Sequence, residues 1–374
     1  MNTVFHPYKS FFPEKGGINT VIDWIVTQKN ETLAFFILCT HRFGLPLSQP
    51  YGSNARIFRS LKLFTLLSMP IMPFYLFQFW WLSLKSNIVH HHHPMPLNDL
   101  AIFIFFPKKT KLIVHWHSEV VEQKKTANIL SFLFKSTLRR ADLILISNPN
   151  LLKYSPFLSD FENKVQVIPF GIEIDDLINP TNEVIQLKNQ LQREHPPFAL
   201  TVGRLVKYKG HETLIRSLSK TDAHLKIIGN GPLYDELLDL VSSLGLQDRV
   251  EIVAPQSRER LIAYFLACEF FVLPSITINE AFGIVQIEAM ASQKAIINTE
   301  LESGVPWVAR HKKEALTVAP KSVDELAAAI NLLKSDDQLR DNLAGNALNR
   351  AKELFTYDKF VSQINQTYED LLKK

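Results

Sequence analysis

The segment NEAFGIVQIEAMA, residues 279–291, places two glutamates, Glu280 and Glu288, eight positions apart around a Phe-Gly pair. It follows the apolar run FFVLPS (270–275), which predicts a buried strand, and Gly283 is a candidate helix start. The residues after Gly283 are apolar on almost every side, so we expect a buried helix in which Glu288 must find hydrogen-bond donors. Eight helical positions rise ~12 Å. We therefore predict that both carboxylates face one cleft, with the amides of the helix N-terminus between them as an anion site.

A second segment, VGRLVKYKGHETLI (202–215), carries basic residues just beyond a predicted strand. The strand ends at Gly203, Arg204 and Lys209 follow, and a helix is expected to begin near His211. An arginine fork and a lysine point charge suit a diphosphate. The alternative is that both are solvated loop residues without a ligand. Only their occurrence together with the two glutamates favours a diphosphate site.

Two glycine-containing turns follow predicted strands and could bring bare backbone close to a phosphate. They are FFPEKGGINT, with Gly16 and Gly17, and GNGPL, with Gly229, Asn230 and Gly231. Neither turn is a G-x-G-x-x-G or a P-loop motif, so plain chain reversals remain the alternative.

Histidines cluster at the ends of two further predicted strands. In IVHWHSEVVEQKK (113–125), His115 and His117 share one face, and a histidine at a strand tip can bind a sugar hydroxyl or move a proton. Core histidines are the alternative. In HHHH (90–93), His90 and His92 could chelate, but no carboxylate or cysteine lies nearby in the sequence. No Asp-x-Asp follows a strand either, so we expect no metal site.

Elements that would position these residues recur twice along the chain. Short apolar runs alternate with amphipathic segments, which predicts two doubly wound parallel α/β sheets. Candidate strands are 3–6, 33–39, 88–92, 111–116, 143–147 and 165–169, then 198–202, 225–228, 250–253, 270–273, 295–298 and 316–318. The join is expected near FGIEIDDLINPTNE (170–183), and 324–372 is expected to be helical. Two such sheets facing each other form a cleft at the carboxyl ends of their strands, where ligands bind.

The length of 374 residues is too great for one ordinary core and allows two domains. With 46% hydrophobic and 21% charged residues the chain is typical of soluble globular proteins. The only cysteines, Cys39 and Cys268, exclude a disulfide framework and favour a reducing cytoplasm, and the N-terminus lacks an apolar signal core.

Charge is uneven, since residues 1–180 hold 18 basic and 12 acidic residues. This excess favours an anionic partner for the first half, such as a phospholipid surface or a phosphorylated substrate, with scattered surface lysines as the alternative. The excess is small and no aromatic–basic motif accompanies it, so nucleic acid is not expected as a partner.

The stretch 63–84 contains no formal charge and is long enough to span a bilayer. Pro70, Pro73 and Gln78 oppose a spanning helix. We predict instead a helix that closes a domain or rests on lipid headgroups, with one face formed by Phe77, Trp80, Trp81 and Leu84.

Together these motifs resemble glycosyltransferase family 4, retaining enzymes of the GT-B fold, and the likeness covers nearly the whole chain. NEAFGIVQIEAMA is similar to the E-x7-E motif of that family, and VGRLVKYKG, GNGPL, VLPS and TELESGVPWV follow in the expected order. IVHHHHPMP and VHWHSEVVEQK resemble a bacterial subgroup that builds lipopolysaccharide, O-antigen, capsule or exopolysaccharide. The resemblance implies two Rossmann-like domains facing across a cleft. An acceptor domain would comprise 1–171 plus a returning helix 356–374, and a donor domain 172–355.

The resemblance also implies roles for individual residues. Glu280 would contact donor-sugar hydroxyls, Glu288 the ribose, and His117 the transferred sugar. Arg204 and Lys209 would hold the diphosphate, as catalytic residues together with His117 and Glu280. The remaining donor-site residues would be Gly16, Gly17, Gly203, Gly229, Asn230, Gly231, Phe282, Gly283, Ile284 and Val285. Glu119 and Lys124 would contact the acceptor, although Glu119 stands where the subgroup usually has aspartate.

The implied reaction is metal-independent hexosyl transfer without a cofactor, with GDP-mannose as the first donor candidate and a UDP-hexose as the second. The expected acceptor is a polyprenyl-diphosphate-linked saccharide at the inner face of the cell membrane, with the enzyme cytoplasmic and peripheral. Departures in SQKAIINT (292–299) and HKKEALTV (311–318) leave the donor open. A sugar-nucleotide epimerase or phosphorylase of the same fold is one alternative. A non-catalytic sugar-binding or membrane-scaffold protein is another.

Overall fold

The computed structural model describes residues 1–14, 16–28, 30–66, 69–119 and 127–373. The chain divides into two compact units, Met1–Pro169 with Asp358–Lys374, and Phe170–Tyr357. Each unit is built on a parallel sheet with helical connections, as the alternating apolar runs predict.

The first unit has a sheet of order β10-β9-β8-β7-β1-β2-β4-β3 within the described residues. Its strands, with a separate β5–β6 pair, are β1 (Asn2–Pro7), β2 (Leu33–Thr40), β3 (Ser48–Tyr51), β4 (Ala55–Ser60), β5 (Phe64–Leu66), β6 (Met69–Ile71), β7 (Ile88–His93), β8 (Lys111–Trp116), β9 (Leu143–Ile146) and β10 (Val165–Val167). Neighbouring strands in the large sheet are parallel, except that β3 is antiparallel to β4.

The helices of this unit cover the sheet and connect its strands. They are α1 (Gly17–Val26), α2 (Tyr75–Leu84), α3 (Pro96–Phe105), α4 (Ala127–Arg140) and α5 (Pro149–Tyr154), with a 3-10 turn at Ser159–Lys164 and the C-terminal helix Tyr357–Lys373. In the C-terminal helix Tyr368 is fully buried, and its hydroxyl lies 2.6 Å from His90 Nδ1.

The uncharged stretch 63–84 forms β5, β6 and α2 rather than one continuous helix. The predicted helix is present as α2, in which Phe77, Trp80, Trp81 and Leu84 are exposed while Phe79 and Leu82 are buried. Among the described residues, none of the helices combines the length and the apolar character that crossing a bilayer requires.

The second unit lies wholly within the described range and has an all-parallel sheet of order β13-β12-β11-β14-β15-β16. Its strands are β11 (Phe198–Val202), β12 (His224–Ile228), β13 (Val250–Val253), β14 (Phe270–Val272), β15 (Ala295–Thr299) and β16 (Ala315–Val318). Its helices are α6 (Asp175–Ile178), α7 (Asn182–Glu194), α8 (His211–Leu218), α9 (Tyr234–Ser243), α10 (Arg258–Ala267), α11 (Ile284–Ala291), α12 (Val305–Val308), α13 (Val323–Ser335) and α14 (Asp337–Leu354), with a 3-10 turn at Lys207–Lys209.

The second sheet brings four connecting loops to one edge. Because β13, β12, β11 and β14 are parallel neighbours, the loops that follow them leave at the same edge of the sheet. The apolar core beneath this edge contains Leu205, Leu214, Ile227 and Phe270, all fully buried. The core therefore fixes the strand ends from which the charged loops start.

Candidate active site

The loop after β11 carries the basic pair predicted for a diphosphate. Arg204 is exposed, whereas Lys209, at the end of the 3-10 turn, is largely buried. Gly210 has φ +72° and caps both the turn and helix α8. A Cβ atom on Gly210 would lie 2.0 Å from the carbonyl oxygen of Pro274, so only glycine lets this loop approach the one after β14.

Lys209 meets Glu280 across the two loops. The Lys209 ammonium lies 2.6 Å from Glu280 Oε2, and the Ser275 hydroxyl donates to the same oxygen at 3.0 Å. Glu280 is only 9% exposed, so the cation and the hydroxyl offset much of the cost of burying its charge. The structure thus brings together one glutamate and one lysine that the sequence separates by 71 positions.

Glu288, on α11, forms its ion pair with a different cation from that of Glu280. The Arg258 guanidinium donates to Glu288 Oε1 through Nη1 and grips Asp176 with Nε and Nη2 at 2.9 and 3.0 Å. Burial raises the pKa of Glu288, although the Arg258 charge and hydrogen bond oppose that shift. The expected donors to Glu288 therefore exist, and Arg258 supplies them.

Helix α11 begins where the Phe-Gly pair predicts. Gly283 caps it with φ +75°, and a Cβ atom there would lie 2.8 Å from Gln286 Nε2. Phe282 is buried in ring contact with Phe170, Trp307 and Phe355. This packing fixes the start of the helix, whose first amides and dipole favour an anion. The first helical residues are Ile284 and Val285.

The glycines after β12 allow close contact with the loop after β11. A Cβ atom on Gly229 would lie 1.9 Å from the carbonyl oxygen of Gly203, and one on Gly231 would lie 2.4 Å from that of Leu205. The carbonyl of Asn230 accepts from the Leu205 amide at 2.8 Å. Main chain therefore packs on main chain here, and the loop that bears Lys209 is held without intervening side chains.

In the first unit, His117 follows the last residue of β8, and its amide donates to the His93 carbonyl at 3.2 Å. The side chain of Glu119 accepts from Trp116 Nε1 at 2.8 Å, and burial raises the Glu119 pKa. Gly16 is the N-cap of α1 and Gly17 its first residue. Lys124 lies outside the described residues.

The four histidines 90–93 are all fully buried in β7 and alternate between the faces of the sheet. His91 faces Asp99 on α3, with Nε2 3.3 Å from Oδ1. A carboxylate therefore does lie beside this run, and the sequence reasoning overlooked it because Asp99 arrives from the next helix. Within the described part of the chain, three sets of side chains have the spacing of metal ligands: His6, His90 and His92; His92, His115 and His117; and His91, His93 and Asp99. The absence of a bound metal remains a prediction.

Three residues of the candidate site escaped the sequence reasoning. Ser275 bonds Glu280, while Arg258 and Asp176 hold Glu288. Arg258 had a usable signal, because it begins a helix just past a strand end, as Arg204 follows one. Asp176 carried no such signal, because the sequence of its segment predicts the connection between the two domains.

Comparison with solved structures defines the fold class. The chain superimposes on sucrose-phosphate synthase from Thermosynechococcus elongatus with a TM-score of 0.81, at 21% identity over all of both chains. It superimposes on Anabaena HepE, solved with UDP, with a TM-score of 0.78 at 18% identity, over 99% of this chain and 100% of the other. The fold is therefore GT-B, as the sequence motifs predict.

Curated relatives define the family. The O-antigen chain mannosyltransferase C of Escherichia coli is 26% identical over 99% of both chains. The N-acetylgalactosamine-N,N'-diacetylbacillosaminyl-diphospho-undecaprenol 4-alpha-N-acetylgalactosaminyltransferase of Campylobacter jejuni is 31% identical over 72% of this chain and 73% of its own. Residues 184–350 match the protein family described as glycosyl transferases group 1. The chain belongs to this family, and it is a glycosyltransferase of the hexosyl-transferring kind.

Proposed function

We propose that this enzyme transfers a hexose from a nucleotide diphosphate sugar to a polyprenyl-diphosphate-linked saccharide, with retention of configuration, during cell-surface polysaccharide synthesis. GDP-mannose is the first donor candidate and a UDP-hexose the second. The end-to-end similarity to an O-antigen chain mannosyltransferase supports mannose, and the solved relative with UDP supports the second choice. The diphospho-undecaprenol in the name of the Campylobacter relative supports a lipid-linked acceptor.

The observation that carries the proposal is the Lys209–Glu280 pair at 2.6 Å beside the start of α11. A hexose diphosphate offers hydroxyls to a carboxylate and phosphate oxygens to an ammonium, so one ligand serves both members of the pair. Arg204, exposed on the same loop, supplies a second cation. Glu288, oriented by Arg258, is suited to accept from the ribose hydroxyls.

Glycosyl transfer breaks the bond between the sugar and the diphosphate and leaves a growing negative charge on the leaving group. Lys209, Arg204 and the α11 dipole would stabilise that charge, a task that a bound metal performs in other enzymes. The leaving phosphate would accept the proton of the acceptor hydroxyl, which attacks from the same face of the sugar. Retention then needs no carboxylate nucleophile.

A thermal-shift screen followed by a transfer assay tests the donor. We expect GDP-mannose to raise the melting temperature by mass action, and more than UDP-glucose or UDP-galactose at equal concentration. A larger shift with a UDP-hexose would select the second candidate. No shift with any nucleotide sugar would favour a non-catalytic binding protein.

The transfer assay supplies GDP-mannose with and without a membrane lipid extract. Transferase activity predicts GDP release that depends on the extract, and a product with the anomeric configuration of the donor. Nucleotide release with an altered free sugar and no acceptor would identify an epimerase instead. An inverted linkage in the product would refute retention.

Peripheral membrane binding belongs to the same proposal. Phe77, Trp80 and Trp81 are exposed on α2, and the Lys85 ammonium lies 3.8 Å from the centre of the Trp81 ring. Exposed aromatic rings beside lysines favour the headgroup region of anionic bilayers. Replacing Phe77 and Trp80 by serine should reduce co-sedimentation with phosphatidylglycerol vesicles, whereas Leu332→Ser, an exposed residue of the other unit, should not. Equal binding by all variants would refute membrane binding through this face of α2.

A further inference from the structure

Helix α11 contains two polar residues, and Gln286 is the one that the proposed reaction does not use. Its side chain is fully buried, and Ile287, Ala289 and Met290 are buried in the same helix. A buried amide group is costly unless it is hydrogen-bonded, and methionine would fill a similar volume without that cost. Gln286 therefore needs an explanation other than packing.

The Gln286 side chain belongs to a buried network of amide and carbonyl groups. Its Oε1 accepts from Asn298 Nδ2 at 2.9 Å, and its Nε2 donates to the Val305 carbonyl at 3.3 Å. Asn298, on β15, is also fully buried. Its Nδ2 donates to the carbonyls of Ala309 at 2.8 Å and Val305 at 3.3 Å, and its Oδ1 accepts from the Thr317 hydroxyl at 2.8 Å. Because a carbonyl accepts and never donates, these partners fix the orientation of both amide groups.

The network connects α12 to the turn that begins α11. The Gly304 amide donates to the Ala281 carbonyl at 2.8 Å, which holds one end of the turn 281–286 through backbone atoms alone. The Gln286 side chain, bonded to the Val305 carbonyl, holds the other end. Both ends of the turn are therefore attached at the start of α12, and the second attachment exists only because residue 286 is a glutamine.

The amides that start α11 lie between these two attachments. Gly283 is the N-cap, and a Cβ atom there would lie 2.8 Å from Gln286 Nε2, so the amide group packs directly against this residue. Ile284 and Val285 follow as the first helical residues. Apolar packing is non-directional and lets a helix shift or rotate at little cost, whereas hydrogen bonds fix both distance and direction. A phosphate bound by helix amides requires placement to within about 0.5 Å.

We propose that Gln286 is a positioning residue for the donor, which fixes the first turn of α11 so that the amides of Ile284 and Val285 meet the phosphate attached to the sugar. This inference rests on the proposed function, in which Glu280 takes the sugar hydroxyls. Since Glu280 directly precedes the turn that starts α11, the phosphate next to the sugar is the one that these amides reach. In GDP-mannose that group is the β-phosphate.

Methionine at position 286 would remove the attachment without leaving a buried polar group unpaired. In Gln286→Met, Asn298 Nδ2 keeps the carbonyls of Ala309 and Val305, and the Val305 carbonyl keeps Asn298 as its donor. Stability should therefore change little, because most of the cost of breaking a buried hydrogen bond comes from the partner left behind. Asn298→Leu differs, since it takes the donor from the Ala309 carbonyl and the acceptor from the Thr317 hydroxyl.

The binding test measures GDP and GMP by calorimetry with the wild type, Gln286→Met and Met290→Leu. The two nucleotides differ only in the β-phosphate, so the ratio of their affinities isolates the subsite for that phosphate. In Gln286→Met we expect GDP affinity to fall about tenfold, as for the loss of one charged hydrogen bond, while GMP affinity stays within about twofold. UDP and UMP replace this pair if the wild type binds uridine nucleotides more tightly.

Met290→Leu is the matched control. Met290 is fully buried on α11, one turn beyond Gln286 and on the same face of the helix. An exchange of methionine for leucine nearly conserves volume, so both affinities should match the wild type. The melting temperature of Gln286→Met should stay within about 2 °C of the wild type, whereas Asn298→Leu should lower it by about 5 °C or more.

Three outcomes would count against the inference. An unchanged ratio of GDP to GMP affinity in Gln286→Met would overturn it and leave the proposed function standing. A fall in melting temperature as large as that of Asn298→Leu, with equal losses for GDP and GMP, would make Gln286 a residue of the core alone and would also overturn it. A wild type that binds neither diphosphate more tightly than its monophosphate would refute the proposed diphosphate site, and the inference with it.

Discussion

Mild acid should unfold the first unit, because its sheet buries neutral histidines. Burial lowers the pKa of His6, His93 and His115 to about 3 from an ordinary value of 6.5. Since the folded pKa lies below the unfolded one, the unfolded chain binds more protons between pH 6.5 and about 3. The contribution to stability is thus complete above pH 6.5 and is lost progressively as the pH falls below it.

The size of the loss follows from the number of protons. Below pH 6.5, each of these histidines lowers the free energy of unfolding by ~1.4 kcal/mol for every pH unit. The three together lower it by about 4 kcal/mol per pH unit. His90 and His92, whose pKa burial also lowers well below the usual value, act in the same direction. A domain is stable by only about 5–15 kcal/mol. We therefore expect cooperative unfolding of this unit near pH 5.

The assay is urea unfolding at pH 7.5 and 5.5, with His93→Phe as the test variant. His93 stacks on Trp116 with ring centres 3.5 Å apart, and neither ring nitrogen has a hydrogen-bond partner among the described residues. Phenylalanine keeps the stack and removes the titrating group, so the pH slope should fall by ~1.4 kcal/mol per unit. Equal unfolding free energies at the two pH values, or a slope unchanged in His93→Phe, would refute the reasoning.

Four predictions concern the second unit. Lys209→Ala and Glu288→Ala should each weaken donor use by about a hundredfold, or ~3 kcal/mol, and near-normal turnover of both purified variants would remove the site. Arg258→Lys cannot fork to two carboxylates, so donor affinity in calorimetry should fall about tenfold, and unchanged affinity would contradict this role. Gly229→Ala must push two backbones apart and should cost about 2–3 kcal/mol in urea unfolding. Gly345→Ala in α14 meets open space and should stabilise by about 0.5–1 kcal/mol.

The strands that the sequence predicts well are those in which apolar side chains face both layers of helices. Predicted runs such as 111–116 and 198–202 coincide with β8 and β11. The edge strand β3 and its neighbour β4 were missed, because SQPY and ARIFRS carry proline and arginine rather than a continuous apolar run. Arg59 in β4 is nonetheless 1% exposed, since backbone carbonyls of Pro46 and Phe12 accept from its guanidinium. Composition alone does not reveal such an internal partner.

Four charged residues of the candidate site, Arg204, Lys209, Glu280 and Glu288, were predictable by type and place, but their partners were not. Each follows a strand end, a position that the alternating pattern identifies. Which cation meets which carboxylate depends on the order of strands in the sheet. That Glu280 and Glu288 serve one shared ligand stays a prediction, but the sequence did not identify Lys209 as the partner of the first carboxylate or Arg258 as the partner of the second. Strand order requires long-range pairing that local patterns do not encode.

The contact between Lys209 and Glu280 has a consequence for selectivity against simple anions. Inorganic phosphate or sulfate would have to separate the ammonium from its carboxylate and would then leave Glu280, nearly buried, facing a like charge. A glycosyl diphosphate gives the carboxylate new hydroxyl donors at the moment it takes the ammonium. On the proposed function, Lys209 would thus stay paired with Glu280 in the presence of simple anions and would be released to the glycosyl diphosphate, which compensates both partners.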